Sequence, residues 1–274
     1  GQEGVGQGWR MLMNCLSVGR AISLPATSVG AAKLAARTAG AYGRVRTQFK
    51  TPIGYFEGIE EALARIGGNT YMMDAARVMT ASAVDLGEKP SVASAIVKYH
   101  LTERGRQAIN DAMDIHGGKG ICIGPRNYIG RTYQQIPVSI TVEGANILTR
   151  NMIIFGQGAM RAHPYAFREV AAIEKNDLAA FDEAFFGHVG HIIKNLVRFV
   201  IRRVRVSVVP AGDVLDWGKA RIAYSSAAFA TLADFTMATS GAALKAKGKI
   251  TGRFADILGW MYMANAVIHR YEKD

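Results

Sequence analysis

Residues 91–120 read SVASAIVKYHLTERGRQAINDAMDIHGGKG, and this stretch decides the fold class. Its apolar residues recur at spacings of three and four, the period of one face of a helix. Pro90, just ahead of it, suits the first turn of a helix. At the far end, His116-Gly117-Gly118-Lys119-Gly120 supplies glycines for the left-handed angles of a helix terminus and turn. A helix is expected over Ser91 to Ile115.

The same spacing extends in both directions, and alternating strand-like runs are nearly absent. Upstream, a helix is expected over Tyr55 to Leu86, stopped by Gly87-Glu88-Lys89-Pro90. Before it, a helix from near Trp9 through the alanine-rich Gly30 to Ala41 should be interrupted or bent near Pro25. Arg44 to Gly54 reads as a loop. Downstream, a loop of two dozen residues runs to Thr141, a length that usually carries function. A helix from Gly144 to Gly158 follows, and His163-Pro164 marks a boundary between domains 1–162 and 163–274. The second domain has helical patterns over Phe167 to Ile173, Leu178 to Val206, Val214 to Leu244 and Thr251 to Tyr271, punctuated by Pro210-Ala211-Gly212-Asp213. The fold class is all-α.

Hydrophobic residues make up 49% of the 274, enough for a real core and too many for a disordered chain. Cys15 and Cys122 lie far apart without metal-ligand spacing, so a disulfide framework and a zinc site are not expected and a reducing, cytoplasmic setting fits. No apolar run approaches the roughly 20 residues of a membrane-spanning helix, and no secretion signal is read. The net charge of +11 predicts an acidic partner, but the cations are dispersed and no nucleic-acid motif accompanies them.

Thr141-Val142-Glu143-Gly144-Ala145-Asn146 places a carboxylate where a loop enters a helix, beside a glycine that admits another group. Burial raises a carboxyl pKa and a helix N-terminus lowers it, so a base can be tuned there; a first-turn Glu also simply compensates the helix dipole. On spacing alone the second account is the better one. Arg46 offers a forked donor for phosphate, or is a solvated loop arginine. Lys194 to Arg205 interleaves cations with apolar residues, as in helices that lie on anionic membranes or receive a partner. His188 and His191 are three apart but lack a third ligand nearby, so a structural role is expected and no metal site.

The order of several separated segments resembles the carboxyl-terminal domain of acyl-CoA dehydrogenases over residues 6 to 158. Gly6-Gln7-Gly8-Trp9 followed by Arg20 resembles the start of that domain's first long helix. Arg46-Thr47-Gln48-Phe49-Lys50-Thr51-Pro52-Ile53 resembles the family's R-x-Q-F-G-x-P-I segment, with Lys50 where glycine is usual. His116 to Gly120 resembles its Q-x-x-G-G-x-G turn, with Asp114 at the glutamine's place. Val142-Glu143-Gly144 resembles the E-G-T-x-x-I-x-R signature, completed by Arg150, with Ala145 for the threonine. Ser17 stands where many members carry an acidic residue. Residues 164–274 are similar to the extra helical region of long bacterial FadE-type enzymes.

The resemblance implies an up-and-down helical bundle followed by a second helical unit. It implies that Glu143 is the general base for the α-proton of a fatty acyl-CoA thioester in β-oxidation, while the β-hydrogen leaves as hydride to FAD, giving a trans-2-enoyl-CoA. Arg46, Gln48, Phe49, Asp114, Gly117, Gly118, Ala145 and Asn146 would contact FAD, and Arg20 and Gly144 the substrate. It further implies a homo-oligomer, an electron-transfer acceptor protein and, through the basic helix, peripheral attachment to an inner membrane. The family's amino-terminal helical and middle β-domains are expected to lie outside this chain. A different class remains open: a non-catalytic helical module that binds a membrane or a partner.

Overall fold

The computed structural model describes residues 2–210 and 212–274, without the side chains of residues 2, 9, 10, 13, 14, 17 and 161. The side chains of Trp9 and Ser17, and Ala211 of the second domain's break, therefore lie outside the described residues. The fold is all-α, as the spacing predicts, and it divides into two compact units, Gly1–Asn146 and Ile147–Asp274.

Three long helices build the first unit: α1 (Gly8–Val45), α2 (Glu57–Asp85) and α3 (Ser91–His116), each packed on the other two. Their shared core is rich in small residues. Ala32, Ala35, Ala39, Ala76, Ala95, Ala108 and Ala112 are fully buried beside Ile66, Met73, Val97, Leu101 and Ile109. Small side chains let helix backbones come close: a Cβ on Gly105 of α3 would sit 3.2 Å from the Ser28 carbonyl oxygen of α1. A forked pair ties α2 to α3, with Arg65 Nε and Nη2 donating to Asp111 Oδ2 and Oδ1 at 3.2 and 3.0 Å.

Of the interruption or bend expected near Pro25, the interruption is not found: α1 continues through Pro25. Proline in a helix interior costs about 3 kcal/mol through its missing N–H and ring clash. Pro25 is buried, and α1 packs along its length on α2 and α3, which outweighs one lost bond. The segment expected as a loop after α1 contains a two-residue antiparallel ladder, β1 (Thr47–Gln48) and β2 (Thr51–Pro52). Phe49 and Lys50 turn it with φ of 50° and 63°, the left-handed pair of a two-residue hairpin. Lys50, where the resembled family carries glycine, pays for its Cβ there. Lys50→Gly is expected to stabilise the protein by about 1 kcal/mol, read as a rise in urea midpoint at unchanged slope.

After α3, the expected long loop is broken into short helical turns: α4 (Gly118–Ile121), α5 (Gly130–Gln135) and α6 (Val138–Thr141), each packed on α3. α7 (Asn146–Leu148) leads into a π-helical segment over residues 149–157, where one regular helix from Gly144 to Gly158 is expected, and α8 (Gly158–Ala162) runs on past that expected end. α9 (Ala166–Glu174), α10 (Leu178–Val208), α11 (Val214–Ser240) and α12 (Gly248–Tyr271) follow, with a 3-10 stretch over residues 241–246.

The π segment has a visible cause. Thr251 Oγ1 donates to the Asn151 carbonyl at 2.6 Å, engaging an acceptor of the ordinary ladder, and Arg150 clasps Asp256 of α12. Phe155 stacks on Phe254 at 4.4 Å and meets Phe229 edge-on at 5.8 Å. These contacts draw residues 147–162 into the second compact unit, so by packing the division falls at Asn146/Ile147, ahead of the 162/163 boundary expected from sequence.

Candidate active site

The end of α6 delivers Glu143. Val142 is extended, then Glu143 and Gly144 both take positive φ, 54° and 96°, before Asn146 begins α7. A non-glycine residue in this region costs of order 1 kcal/mol or more, and such residues concentrate where a site demands them. The turn aims the half-buried Glu143 carboxylate at α1. A Cβ on Gly19 would lie 3.3 Å from Glu143 Oε1, so glycine leaves the space the carboxylate uses. Glu143 Oε2 is sealed from solvent and, among the described residues, has no hydrogen-bond partner.

Two cations flank this carboxylate. Arg20, on the turn of α1 next to Gly19, is half-buried; burial lowers its pKa and the Glu143 charge pulls it back up. Lys98 on α3 is fully buried. Its Nζ donates to the Gly144 carbonyl and to Asn146 Oδ1, each at 2.7 Å. Asn146 Nδ2 in turn donates to Thr102 Oγ1 at 2.9 Å and Glu103 Oε1 at 2.8 Å, so its amide is committed inward. Desolvation, then repulsion from Arg20, brings the Lys98 pKa down to about 8, against pulls upward from Glu143 and Glu103.

Below pH 8 the Lys98 ammonium is protonated folded and unfolded, while between about 8 and the ordinary 10.5 the unfolded chain holds the proton more tightly. Stability through this group therefore rises over that window, by about 3 kcal/mol in all. Urea unfolding at pH 7.5 and pH 10 is expected to show the parent gaining on Lys98→Met as pH rises.

A second constellation gathers at the C-terminal ends of α1 and α3. A cleft of about 450 Å³ is lined by Tyr42, Arg46, Gln48, His116, Gly117, Gly118 and Lys119. An adjoining one of about 670 Å³ shares Tyr42, Arg46 and Lys119 and adds Tyr128. Gly117 ends α3 at φ 54°, which an L side chain resists, and no Cβ fills the space over Gly117-Gly118. Two cations, two aromatic rings and glycine backbone with no side chain over it form a setting suited to a nucleotide's phosphates and base. Tyr42 stacks on His116 at 4.6 Å. The His116 ring bridges the Ala112 carbonyl through Nδ1 at 2.7 Å and the Tyr128 hydroxyl through Nε2 at 3.2 Å. Burial is the main reason its pKa lies below the usual value.

The structure thus brings Arg46, Gln48, Gly117 and Gly118 together, and sets Glu143, Gly144 and Arg20 together. Ala145 and Asn146 lie in the Glu143 turn itself, and Phe49 and Asp114 do not line the cleft. Phe49 is 91% exposed, edge-on to Phe56. Asp114 is exposed, near Arg65, and does not line the cleft; Ala145 is exposed. Tyr42, Lys119, Tyr128 and Lys98 join the sites without having been singled out from sequence. Lys98 did leave a signal: a lone charge at a core position in the stripe 94, 97, 98, 101, 105, 108.

In the second unit, His163, His188 and Asp234 offer ligand atoms within 4.8 Å of one another. Hydrogen bonding argues against a metal. His163 Nδ1 accepts from the Tyr165 and Ala166 backbone N–H groups at 3.2 and 2.9 Å, so its proton sits on Nε2 and points to Asp234 Oδ1 at 3.0 Å. That leaves two ligands. His163 caps α9 and pins it to α11, while His188 Nδ1 bonds Glu169 at 2.8 Å. His191 bonds Asn195 instead.

Comparison with known proteins agrees with both units. Residues 6–156 match a family model described as acyl-CoA dehydrogenase, C-terminal domain, and residues 160–274 one described as acyl-CoA dehydrogenase, C-terminal, bacterial type. A 3-(aryl)acrylate reductase of Clostridium sporogenes is 33% identical over 151 residues, covering 54% of this chain and 38% of its own. A probable acyl-CoA dehydrogenase of Mycobacterium tuberculosis, FadE10, is 25% identical over 278 residues, 97% of this chain and 42% of its own. The crystal structure of an acyl-CoA dehydrogenase from Bacillus anthracis, complexed with FAD, superposes with a TM-score of 0.70 at 20% identity, covering 98% of this chain and 44% of that one. The chain spans less than half the length of each.

Proposed function

The chain belongs to the acyl-CoA dehydrogenase family, and from that premise we propose that it carries the general base and part of the flavin site of an FAD-dependent enzyme converting fatty acyl-CoA to trans-2-enoyl-CoA in β-oxidation. The observation that carries this reading is Glu143: a carboxylate held in a left-handed turn, one oxygen out of water and unpartnered, the other against a glycine. A general base needs such a lone pair, not committed to another donor and held away from bulk water. Glu143 would take the proton from the carbon next to the thioester carbonyl. Arg20 and the Gly144 backbone stand beside that position and would contact the substrate.

The cleft residues fit FAD. Arg46 and Lys119 would meet its pyrophosphate, Gly117 and Gly118 would let backbone approach it, and Tyr42 and Gln48 would flank the nucleotide. When bound, FAD supplies the acceptor for the β-hydride. The relative that reduces arylacrylates favours a second reading, since the same carboxylate can return a proton to the α-carbon when the reaction runs toward the saturated acid. Anaerobic addition of a long-chain acyl-CoA to the FAD-loaded protein, together with its remaining domains, tests the proposal. Bleaching of the flavin absorbance supports dehydrogenation. A dithionite-reduced protein reoxidised only by an enoyl or acrylate substrate favours the reductase, and failure to hold FAD favours a non-catalytic helical module.

The homo-oligomer, the electron-transfer acceptor protein and the division of function at residue 162 belong to the same proposal, the last supported by the two family matches meeting between residues 156 and 160. Among the described residues no helix is long and apolar enough to cross a membrane. We also propose peripheral attachment of α10 to an anionic bilayer. Phe186, Val189, Ile193, Val197, Val200 and Val204 form an exposed apolar stripe, Lys194, Arg198 and Arg205 flank it in solvent, and no acidic residue occurs from 184 to 212. Flotation with vesicles containing phosphatidylserine is expected to exceed that with neutral vesicles, and the excess to vanish at 0.5 M salt on the order of a 4 Å Debye length.

A further inference from the structure

Lys98 is a fully buried ammonium whose two hydrogen-bond acceptors, the Gly144 carbonyl and Asn146 Oδ1, are both neutral. Enclosing a charge without a bonded counter-ion is costly, and an apolar side chain at a core position of α3 would pack without that cost. What the ammonium does hold is the turn that presents Glu143. One acceptor is the carbonyl of the very next residue, itself the second of the two consecutive positive-φ residues Glu143 and Gly144, and the other is the side chain that opens α7. Resting on the assignment of Glu143 as base, we infer that Lys98 is its positioning residue, clamping residues 144 and 146 so that the carboxylate stays against Gly19 with one oxygen shielded from water.

The clamp is electrically coupled to the group it positions. The charges facing Lys98 are Arg20 from α1, Glu103 from its own helix and Glu143 from the turn; Arg20 pushes its pKa down and the two carboxylates pull it up. Desolvation dominates, so Lys98 loses its proton near pH 8, within the range where an enzyme works. Removing the Glu143 charge takes away one upward pull. The Lys98 midpoint then moves to lower pH, although no group within hydrogen-bond distance of it has changed. A lysine out of electrostatic reach of Glu143 would show no such response, and the bleaching rate of Lys98→Met separates holding the turn from mere proximity.

The first test needs no flavin. The full 274-residue chain, labelled with [ε-13C]lysine, is titrated by NMR as parent and as Glu143→Gln. One resonance with a midpoint near 8, moving to lower pH in Glu143→Gln, is the expected result, and its disappearance in Lys98→Met assigns it. All lysines titrating together at the ordinary range, or a midpoint that Glu143→Gln leaves in place, overturns the inference. The second test uses the FAD-loaded protein. In Lys98→Met, anaerobic flavin bleaching is expected to slow by at least about tenfold, the order of loss from a misplaced reacting group, with FAD content and acyl-CoA affinity kept and with the parent's change in rate near pH 8 abolished. Parental bleaching rate and pH profile in Lys98→Met overturn it; where that variant does not fold, the one lysine resonance with a midpoint far below the ordinary range, compared between parent and Glu143→Gln, decides. The two readings fail differently. If Glu143→Gln bleaches at the parental rate while the Lys98 midpoint still moves, the base is elsewhere; if Glu143→Gln is inactive and the midpoint stays, the clamp is wrong and the base stands.

Discussion

Glu143→Gln in the FAD-loaded protein is expected to retain flavin and to bind acyl-CoA within a few-fold of the parent, yet to bleach the flavin roughly 10²–10⁴-fold more slowly. The amide keeps the volume and planar shape of the carboxylate, so the space beside Gly19 is undisturbed. It removes the lone-pair basicity and the negative charge. Among the described residues no neighbouring group takes over, because the charged side chains set around the carboxylate are the cations Arg20 and Lys98, with Glu103 engaged by Asn146 and Arg106. Rapid-mixing absorbance under anaerobic conditions reads the rate, and bleaching at the parental rate would remove Glu143 from the mechanism.

The largest effect on stability is expected from Phe155→Ala, about 3–5 kcal/mol. Phe155 is 1% exposed at the π segment, stacked on Phe254 and edge-on to Phe229. Truncation loses the burial of a whole ring and leaves a cavity that three elements would have to collapse to fill. Because these partners all lie in the second compact unit, calorimetry should show the loss in the transition of that unit. A shift equivalent to less than about 1 kcal/mol would mean that the segment packs elsewhere.

Much of this architecture could be read from local chemistry. Pro90 and Gly117 mark the ends of α3 because a missing N–H and a missing Cβ act within one turn of chain. Glu143 and Arg46 were legible only through ordered resemblance, since a first-turn carboxylate and a loop arginine are common in any helical protein. What stayed hidden depends on partners far away in sequence. Lys98 meets its acceptors 46 and 48 residues downstream, and the π segment depends on Thr251, 100 residues beyond Asn151. Pro25 misled because the packing that keeps α1 continuous comes from α2 and α3. Phe49, placed with its neighbours by motif, is turned to solvent by the positive φ of the hairpin.

The stacked pair of Tyr42 and His116 fixes how the cleft meets a change of surroundings. Imidazole is the side chain whose charge ordinarily switches near neutrality, and His116 is the cleft-lining residue of that type. Buried against Tyr42 and bonded at both ring nitrogens, it stays neutral at neutral pH. The positive charge offered to an anion therefore rests on Arg46 and Lys119, and capture of an anion there takes up no proton through the imidazole. Because that hold rests on solvent-accessible charge, a rise in ionic strength loosens it.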